Sequence, residues 1–294
     1  MQVVVKNIGA AFSVAVIPVL QDNYSYVIHD QATNAVAAVD VSADTAPVLD
    51  YVRRLSKSVA ERGAGEVSFR TILSTHKHLD HTGGNVALLR KLSPSGAFRV
   101  VGGVNDDIPG VTQTVREGDC LSLGALRVEV LDVPCHTRGH VLYKVYHPQA
   151  AADGAALFTG DTMFVGGIGA FFEGDAALMC RALRKVYDLH RGASDADEAD
   201  RRTFVFPGHE YTVNFLQFAH GAIPPAHPDA AFIAAQLTRY KADVAGRTPT
   251  VPSSLAEEKR QNLFLRTCDA AFVREMRHGD TAEALMRHLY DACP

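Results

Sequence analysis

Tryptophan is absent from the 294 residues, and no two cysteines have the C-x-x-C spacing. The five cysteines, at positions 120, 135, 180, 268 and 293, are odd in number, which favours a reducing compartment over a disulfide framework. No apolar run reaches the ~18–20 residues of a membrane span. The apolar stretch from Gly9 to Leu20 is interrupted by Pro18 and lacks the frame of a signal peptide. These absences predict a cytoplasmic protein that does not enter a membrane.

Neither sign of charge is in excess. The chain has 29 Lys and Arg against 33 Asp and Glu, a net charge of −4, which indicates neither nucleic acid nor an anionic membrane as a partner. The length suffices for one sizeable α/β domain and a smaller one. We expect a monomer that acts on a small molecule.

The most informative segment, STHKHLDHTGGN, runs from Ser74 to Asn85. Directly after the apolar run Thr71 to Leu73, it places four potential metal ligands within six positions, namely His76, His78, Asp80 and His81. This spacing on a turn lets two of them face one ion and two face a neighbouring ion. Imidazole nitrogen and carboxylate oxygen suit zinc, iron or manganese.

Three further ligand candidates also follow apolar, strand-like runs. His136 comes after Leu126 to Leu131, Asp161 after Ala155 to Thr159, and His209 after Thr203 to Phe206. Two adjacent metal ions need roughly seven or eight protein ligands. The repeated position after a strand therefore predicts one shared metal centre.

The motifs THxHxDH, HTxGH, GDT and GHEY resemble those of the metallo-β-lactamase superfamily. Within it, Phe158 to Phe164, Gly208 to Thr212 and Pro249 to Glu258 (PTVPSSLAEE) resemble glyoxalase II, the hydroxyacylglutathione hydrolase family. The likeness runs from about Asp22 to Arg266, and the last of these segments is specific to glyoxalase II. The resemblance implies an α+β fold, an αββα sandwich over residues 1–209 followed by a helical substrate-binding domain over residues 210–294.

The resemblance also implies the chemistry. One metal ion is expected on His76, His78 and His136, the other on Asp80, His81 and His209, with Asp161 as the bridge. Asp80 and Asp161 are the expected catalytic carboxylates, acting with a hydroxide formed between the ions, because metal binding lowers the pKa of water to about 7. The hydroxide attacks the carbonyl carbon of an S-D-lactoyl thioester in methylglyoxal detoxification. The thiolate leaves readily, since thiol pKa values are ~8–9.

Two neighbours of these ligands have other predicted roles. His140 belongs to the family pattern without being a ligand there, so we expect it to support one. Cys135 has no thiolate-activating pattern around it apart from the metal site, which predicts an ordinary thiol and not a nucleophile.

The sequence departs from its family between Gly167 and Gly174, which reads GIGAFFEG. Glyoxalase II proteins that use glutathione carry a lysine and a tyrosine where Ala170 and Phe172 stand, and these hold the glycine carboxylate of the tripeptide. The family's basic pair near the C-terminus is also missing from Arg287 to Pro294. Tyr211, another thiol contact of the family, is retained.

A substrate that lacks the glycine carboxylate would lose no binding interaction through these replacements. Trypanothione is such a thiol, because its glycines are amide-linked to spermidine, a cation that a lysine would repel. The chain is therefore similar to the trypanothione-using form of glyoxalase II. The expected substrate contacts are Ile168, Ala170, Phe171, Phe172, Tyr211, Tyr290 and Cys293.

Alternative functions remain open at this point. An enzyme that prefers glutathione would need other basic residues, such as Lys144 or Arg266. A persulfide dioxygenase would use one iron on the same scaffold, but such proteins lack the Pro249 to Glu258 segment. A non-catalytic binding module would be expected to have lost at least one of the seven ligands, and all seven are present.

Hydrophobic periodicity predicts the secondary structure. It indicates a β-rich start, a helix with Pro47 in its first turn, and a helix over Ala176 to Tyr187. The polar stretch Arg191 to Arg202 has no apolar period and predicts a surface loop. After His209 the predicted helices span Asn214 to His220, Asp229 to Val244, Ser254 to Arg266 (with a capping box at Ser254 and Glu257) and Thr281 to Asp291.

Overall fold

A computed structural model describes residues 1–92 and 97–294. Within these ranges the strands form two large sheets and one short hairpin, β12–β13. The first sheet has the strand order β1 to β7, with bounds Val4–Ile8, Phe12–Val19, Asn23–Asp30, Ala35–Val39, Ser68–Leu73, Arg99–Gly103 and Gln113–Val115. The second has the order β15-β14-β11-β10-β9-β8. The bounds of β8 to β15 are Cys120–Leu123, Leu126–Asp132, Val141–Tyr146, Ala155–Gly160, Met163–Phe164, Gly167–Ile168, Thr203–Pro207 and Ser253–Ser254.

The helices lie outside the sheets. In chain order, α1 to α10 span Ala46–Glu61, Leu79–Thr82, Asn85–Leu92, Ala176–Tyr187, Ala196–Arg202, Thr212–Ala222, Ala230–Ala245, Leu255–Gln261, Ala270–Met276 and Ala282–Ala292. Helices α1 to α5 lie between strands in the chain, and α6 to α10 follow β14. Two 3₁₀ turns cover Ala151–Asp153 and Leu265–Cys268. In the part of the chain that the structure describes, every helix is too short or too polar to cross a membrane.

The alternation of side chains along the strands builds four layers. In β2, Val14 and Val16 face the core between the two sheets, whereas Ala15 and Ile17 face α1. On the far side of the second sheet, Leu142 packs with helices α4 and α10. Both faces of each sheet are thus covered, which explains why the strands read as nearly continuous apolar runs. The predicted αββα sandwich is confirmed.

Strand direction brings several strand ends to the same edge. In the second sheet β11 and β14 are parallel, and β9 runs in their direction because it is separated from β11 by the antiparallel β10. In the first sheet β4 to β7 are parallel. The residues that follow β5, β9, β11 and β14 therefore emerge at carboxyl ends, where sites of sheet proteins commonly form.

Two predicted elements differ in the structure. The stretch Arg191 to Arg202 is not wholly a loop, because α5 covers its last seven residues. Acidic residues occupy the first turn of α5 and basic residues its last, which suits the helix dipole, and Glu198 pairs with Arg201 and Arg202. The helix expected over Ser254 to Arg266 ends at Gln261, and α9 was not predicted.

The helical C-terminal part packs on the second sheet as a continuous core. Ala219, Phe264 and Leu285 belong to the same apolar cluster as Met179 of α4, and β15 pairs with β14. The capping box is confirmed, since Ser254 and Glu257 bond each other's backbone. The division of the chain at residues 209 and 210 stays a prediction.

Glu258 of α8 connects this helical part to the hairpin β12–β13. Its Oε2 accepts from the backbone N–H of Gly166 at 2.8 Å, and its Oε1 accepts from Gln261 at 2.7 Å. The side chain is fully buried. Burial raises the pKa of Glu258 from its ordinary 4.5 to about 7, because desolvation disfavours the charged carboxylate.

This raised pKa predicts a pH-dependent stability. A carboxyl whose pKa is higher in the folded chain favours folding most at low pH, and the contribution is lost as the pH rises through about 7. Between about pH 5 and about pH 8, wild type should lose on the order of 3 kcal/mol relative to Glu258→Gln. Denaturant unfolding of both proteins measures this difference. Equal pH dependence in the two would contradict the prediction, and Glu66→Gln, at an exposed carboxyl, is the control.

Candidate metal centre

The seven predicted ligands converge where the two sheets meet at their carboxyl-end edges. His76 and His78 lie in the turn after β5, and the short helix α2 carries Asp80 and His81. The loops after β9, β11 and β14 supply the other three, His136, Asp161 and His209. All except His78 and Asp80 are buried. The repeated position after a strand therefore does bring these residues together.

Three imidazoles form the first ligand group, with atoms that lie within 4.8 Å of one another. His78 Nδ1 is 3.0 Å from His76 Nε2 and 3.1 Å from His136 Nε2. Asp161 Oδ2 approaches this group at 3.5 Å from His136 Nε2. Three ring nitrogens thus point into one small volume.

The second ligand group consists of Asp80, His81 and His209. His81 Nε2 lies 3.2 Å from His209 Nε2, and Asp80 Oδ2 lies 3.3 and 3.4 Å from these two nitrogens. Asp161 completes the group, with Oδ1 3.4 Å from His81 and Oδ2 3.3 Å from His209. Its carboxylate therefore lies between the two groups.

These separations fit a bound transition-metal ion. With Zn–N bonds of about 2.0–2.1 Å, tetrahedral coordination places two ligand atoms about 3.3 Å apart, as in the second group. Within the described residues, Asp161 Oδ1 is buried without a hydrogen-bond partner, which is costly unless a cation compensates it. Imidazole nitrogen together with carboxylate oxygen suits zinc, iron and manganese.

In four of the ligand histidines, the ring nitrogen that faces away from the ligand group lies within hydrogen-bond distance of an oxygen atom. His209 Nδ1 lies 2.9 Å from Asp22 Oδ1, and His81 Nδ1 lies 3.1 Å from Asp40 Oδ2. His136 Nδ1 lies 3.0 Å from the carbonyl oxygen of Ala170, and His76 Nδ1 lies 3.1 Å from Thr75 Oγ1. Such contacts place the proton on Nδ1 and leave Nε2 free to bind a metal.

Sequence reasoning did not identify Asp22, Asn23 and Asp40. Asn23 donates from Nδ2 to Asp80 Oδ2 at 2.8 Å, and Asp40 also accepts from the N–H and hydroxyl of Thr75. The only available signal was the position of Asp22 and Asn23 at the start of the family likeness. None of the three has a ligand-like spacing from its partner.

Charge within the cluster is strongly coupled. Burial lowers the pKa of His76 and of His136, which keeps these rings neutral as metal binding requires. Burial also opposes ionisation of Asp161, but His81 and His209 hold its pKa well below the usual range. The histidines and carboxylates stabilise each other's charged forms. Burial alone would lower the pKa of His209, but Asp161 and Asp80 raise it to about 10. A bound cation would replace the protons on these rings.

His140 and Cys135 lie beside the ligands as predicted, without joining them. His140 Nε2 accepts from the backbone N–H of Asp161 at 3.1 Å, and its ring stacks on that of His76. Cys135 is buried, and its Sγ donates to the carbonyl oxygen of Asp175 at 3.5 Å. Burial raises the pKa of its thiol to about 12, so it is a poor nucleophile.

A cavity of about 730 Å³ opens onto both ligand groups. Six of the predicted substrate contacts line it: Ile168, Ala170, Phe172, Tyr211, Tyr290 and Cys293. The seventh, Phe171, is not among the lining residues. It stacks on Tyr290 with ring centroids 3.9 Å apart, and its N–H donates to Tyr290 Oη at 3.2 Å.

Comparison with known proteins identifies the family. Residues 210–291 match the family model described as the hydroxyacylglutathione hydrolase C-terminus. The cytoplasmic hydroxyacylglutathione hydrolase of Arabidopsis thaliana is 37% identical over 251 residues, covering 85% of this chain and 86% of that protein. The hydroxyacylglutathione hydrolase of Rhodospirillum rubrum is 36% identical over 258 residues, covering 87% of each.

The chain belongs to the hydroxyacylglutathione hydrolase family. It is accordingly an enzyme of the glyoxalase II type, a thioester hydrolase of the metallo-β-lactamase superfamily. Its relatives act on small thioester substrates. The residues that match the C-terminal model include the Pro249 to Glu258 segment, whose resemblance to glyoxalase II was noted from the sequence.

Solved structures show the same fold at lower identity. A metallo-β-lactamase from Staphylococcus aureus superposes with a TM-score of 0.59 at 18% identity, covering all of this chain and 68% of that one. ETHE1 from Myxococcus xanthus superposes with a TM-score of 0.52 at 21% identity, covering 99% and 91%. Both likenesses confirm the predicted metallo-β-lactamase fold.

Proposed function

We propose that this member of the hydroxyacylglutathione hydrolase family cleaves S-D-lactoyltrypanothione at a binuclear centre of zinc, iron or manganese. The products would be D-lactate and the free thiol. The observation that carries the choice of thiol is the charge of the cavity. Among the described residues that line it, none is a lysine or an arginine, and two are the aspartates Asp80 and Asp161.

In this proposal His76, His78 and His136 hold one metal ion, Asp80, His81 and His209 hold the other, and Asp161 serves both. When bound, the ions supply Lewis-acid stabilisation of developing oxyanion charge and make water nucleophilic near neutral pH. The distances within each group support this assignment, as does Asp161 Oδ1, which is buried without a hydrogen-bond partner among the described residues.

The chain's own residues would confine the thioester at the edge of this centre. Tyr211 stacks on the ring of His209, with centroids 4.9 Å apart, and Phe164 packs edge-on against both rings. Phe172 covers the rings of His78 and His136 while remaining 68% exposed. These aromatic walls hold the acyl thiol and keep bulk water from the reacting carbonyl group. No serine or cysteine nucleophile is required.

The thiol end of the cavity favours a cationic substrate over an anionic one. Ala170 contributes a methyl group where the glutathione-using enzymes place an ammonium group, and its carbonyl oxygen is already engaged by His136. Tyr290 and Cys293, from the end of α10, line the same cavity. Among the described residues that line the cavity, a glutathione glycine carboxylate would meet no lysine or arginine, whereas the amide-linked spermidine of trypanothione needs neither.

The basic residues considered for a glutathione-preferring enzyme do not line this cavity. Lys144 lies on β10, where it pairs with Glu129 at 3.3 Å. Arg266 is buried, pairs with Asp229 at 3.2 Å and packs over the ring of Phe272. Both cations are already compensated, so neither supplies the missing anchor.

We further propose a cytoplasmic monomer with a helical substrate-binding domain that begins at residue 210. All five cysteines lie in the described ranges as free thiols, which is typical of a reducing compartment. The name of the Arabidopsis relative also describes it as cytoplasmic. Support for the domain comes from α10, because its Tyr290 lines the cavity and accepts a hydrogen bond from the backbone N–H of Phe171.

Removing one ligand tests the binuclear centre. Asp80→Ala takes away one of the two carboxylate ligands of the second group, so the protein should bind about one ion per chain and kcat should fall more than about 100-fold. Metal content by mass spectrometry and steady-state hydrolysis measure both effects. Retention of two ions with most of the activity would contradict the mechanism. Asp107→Ala, at an exposed carboxylate outside both ligand groups, should change neither quantity.

A comparison of substrates tests the proposed thiol. Wild type should have a higher kcat/KM for the D-lactoyl thioester of trypanothione than for that of glutathione at the same ionic strength. The double variant Ala170→Lys with Phe172→Tyr should raise kcat/KM for the glutathione thioester on the order of tenfold. It should lower the value for trypanothione, because lysine repels the polyamine.

A matched control variant distinguishes the effect of a charge placed in the cavity from the effect of a change in the net charge of the protein. Ala193→Lys adds the same charge at an exposed position outside the cavity and should leave both values unchanged. Equal or better turnover of the glutathione thioester by wild type would overturn the proposed thiol and leave the enzyme class intact.

A further inference from the structure

Asp106 is a buried carboxylate that belongs to neither ligand group. It lies in the loop after β6 and is only 6% exposed. Its Oδ2 accepts from the backbone N–H of Lys77 at 2.9 Å and from the hydroxyl of Thr137 at 2.8 Å. Its Oδ1 accepts from the backbone N–H of Gly139 at 3.1 Å. Three donors from two separate loops thus converge on one side chain.

Those two loops carry the whole of the first ligand group. Lys77 stands between His76 and His78, and Thr137 directly follows His136. The loop that carries Asp106 also packs against the second of them, since a Cβ atom on Gly139 would lie 2.2 Å from the backbone nitrogen of Asp106. Asp106 therefore fixes the distance between the two turns that must present three ring nitrogens to one ion.

We propose, on the basis of the metal centre proposed above, that Asp106 is a positioning residue that preorganises His76, His78 and His136. It touches neither the ligand atoms nor the cavity, and acts by holding the backbone of both turns. It should therefore set the metal affinity of the first ligand group and leave that of Asp80, His81 and His209 unchanged.

A second carboxylate bridges the same two loops from the outside and provides a contrast. Glu173 accepts from the backbone N–H of Arg138 at 2.8 Å and pairs with Lys77 Nζ at 2.7 Å. Its side chain is 27% exposed, and water can replace contacts of this kind at little cost. Buried donors that lose their acceptor have no such substitute, so Asp106 rather than Glu173 controls the geometry.

The second ligand group depends on other carboxylates. Asp22 orients His209, and Asp40 orients His81. Neither bonds Lys77, Thr137 or Gly139 in the described structure. Because Asp40 also bonds Thr75, next to His76, Asp22 is the carboxylate through which the second group can be perturbed alone.

The test is a zinc titration of the metal-free protein against a chromogenic chelator. Wild type should bind two ions per chain. Asp106→Asn puts an amide N–H among three donors. It should weaken the binding of zinc at the first ligand group about 10- to 100-fold, which is the range for residues that orient metal ligands. The other ion should be unaffected. Glu173→Gln should leave both affinities at wild-type values, and Asp22→Asn should weaken only the other ion.

A milder pair of variants covers the case in which Asp106→Asn does not fold. Thr137→Val removes a single hydroxyl donor and should weaken the same ion to a smaller extent, whereas Thr137→Ser should restore its affinity. The melting temperature of each metal-free variant provides a readout independent of metal. A general structural role would lower it and weaken both ions together.

The possible failures are distinguishable. Wild-type protein that binds no zinc contradicts the proposed metal centre, and the role of Asp106 with it. Two ions in wild type with unchanged affinities in Asp106→Asn contradict only the role of Asp106. Equal weakening of both ions in Asp106→Asn also overturns the selective role.

Discussion

The structure depends on the crowding of imidazole nitrogens and carboxylate oxygens at one edge of the sandwich. Ring nitrogens of the ligand histidines lie 3.0 to 3.2 Å apart, a distance at which their lone pairs repel unless protons or cations lie between them. Because the ligands are mostly buried, water cannot relieve this repulsion. A metal ion in each group would compensate it, so the fold and the proposed chemistry share one electrostatic requirement.

Maintaining that crowding involves both sheets. Asp22 and Asp40 flank strands of the first sheet and hold His209 and His81, while the carbonyl oxygen of Ala170 holds His136. Asp106 ties the first turn to a loop of the second sheet. The ligands are thus oriented by residues from distant segments, which makes the metal centre a property of the assembled sandwich and not of its local motifs.

This distribution explains what the sequence could predict. The ligands were predictable because each follows an apolar run, a signal contained within a few neighbouring residues. Asp22 is 187 residues from its partner His209, and Asp40 is 41 residues from His81, so no local pattern connects them. Helix α5 was missed for a related reason, since its stability comes from charge order and from Asp200 pairing with Lys259, not from an apolar period.

In the proposed mechanism, this hydrolase works through two metal ions held by one cluster. Anomalous diffraction from crystals of the metal-loaded enzyme tests it most directly. We expect two peaks, one among His76, His78 and His136 and one among Asp80, His81 and His209, with Asp161 in contact with both. A single peak in fully loaded protein, as a mononuclear iron enzyme would give, would contradict the account.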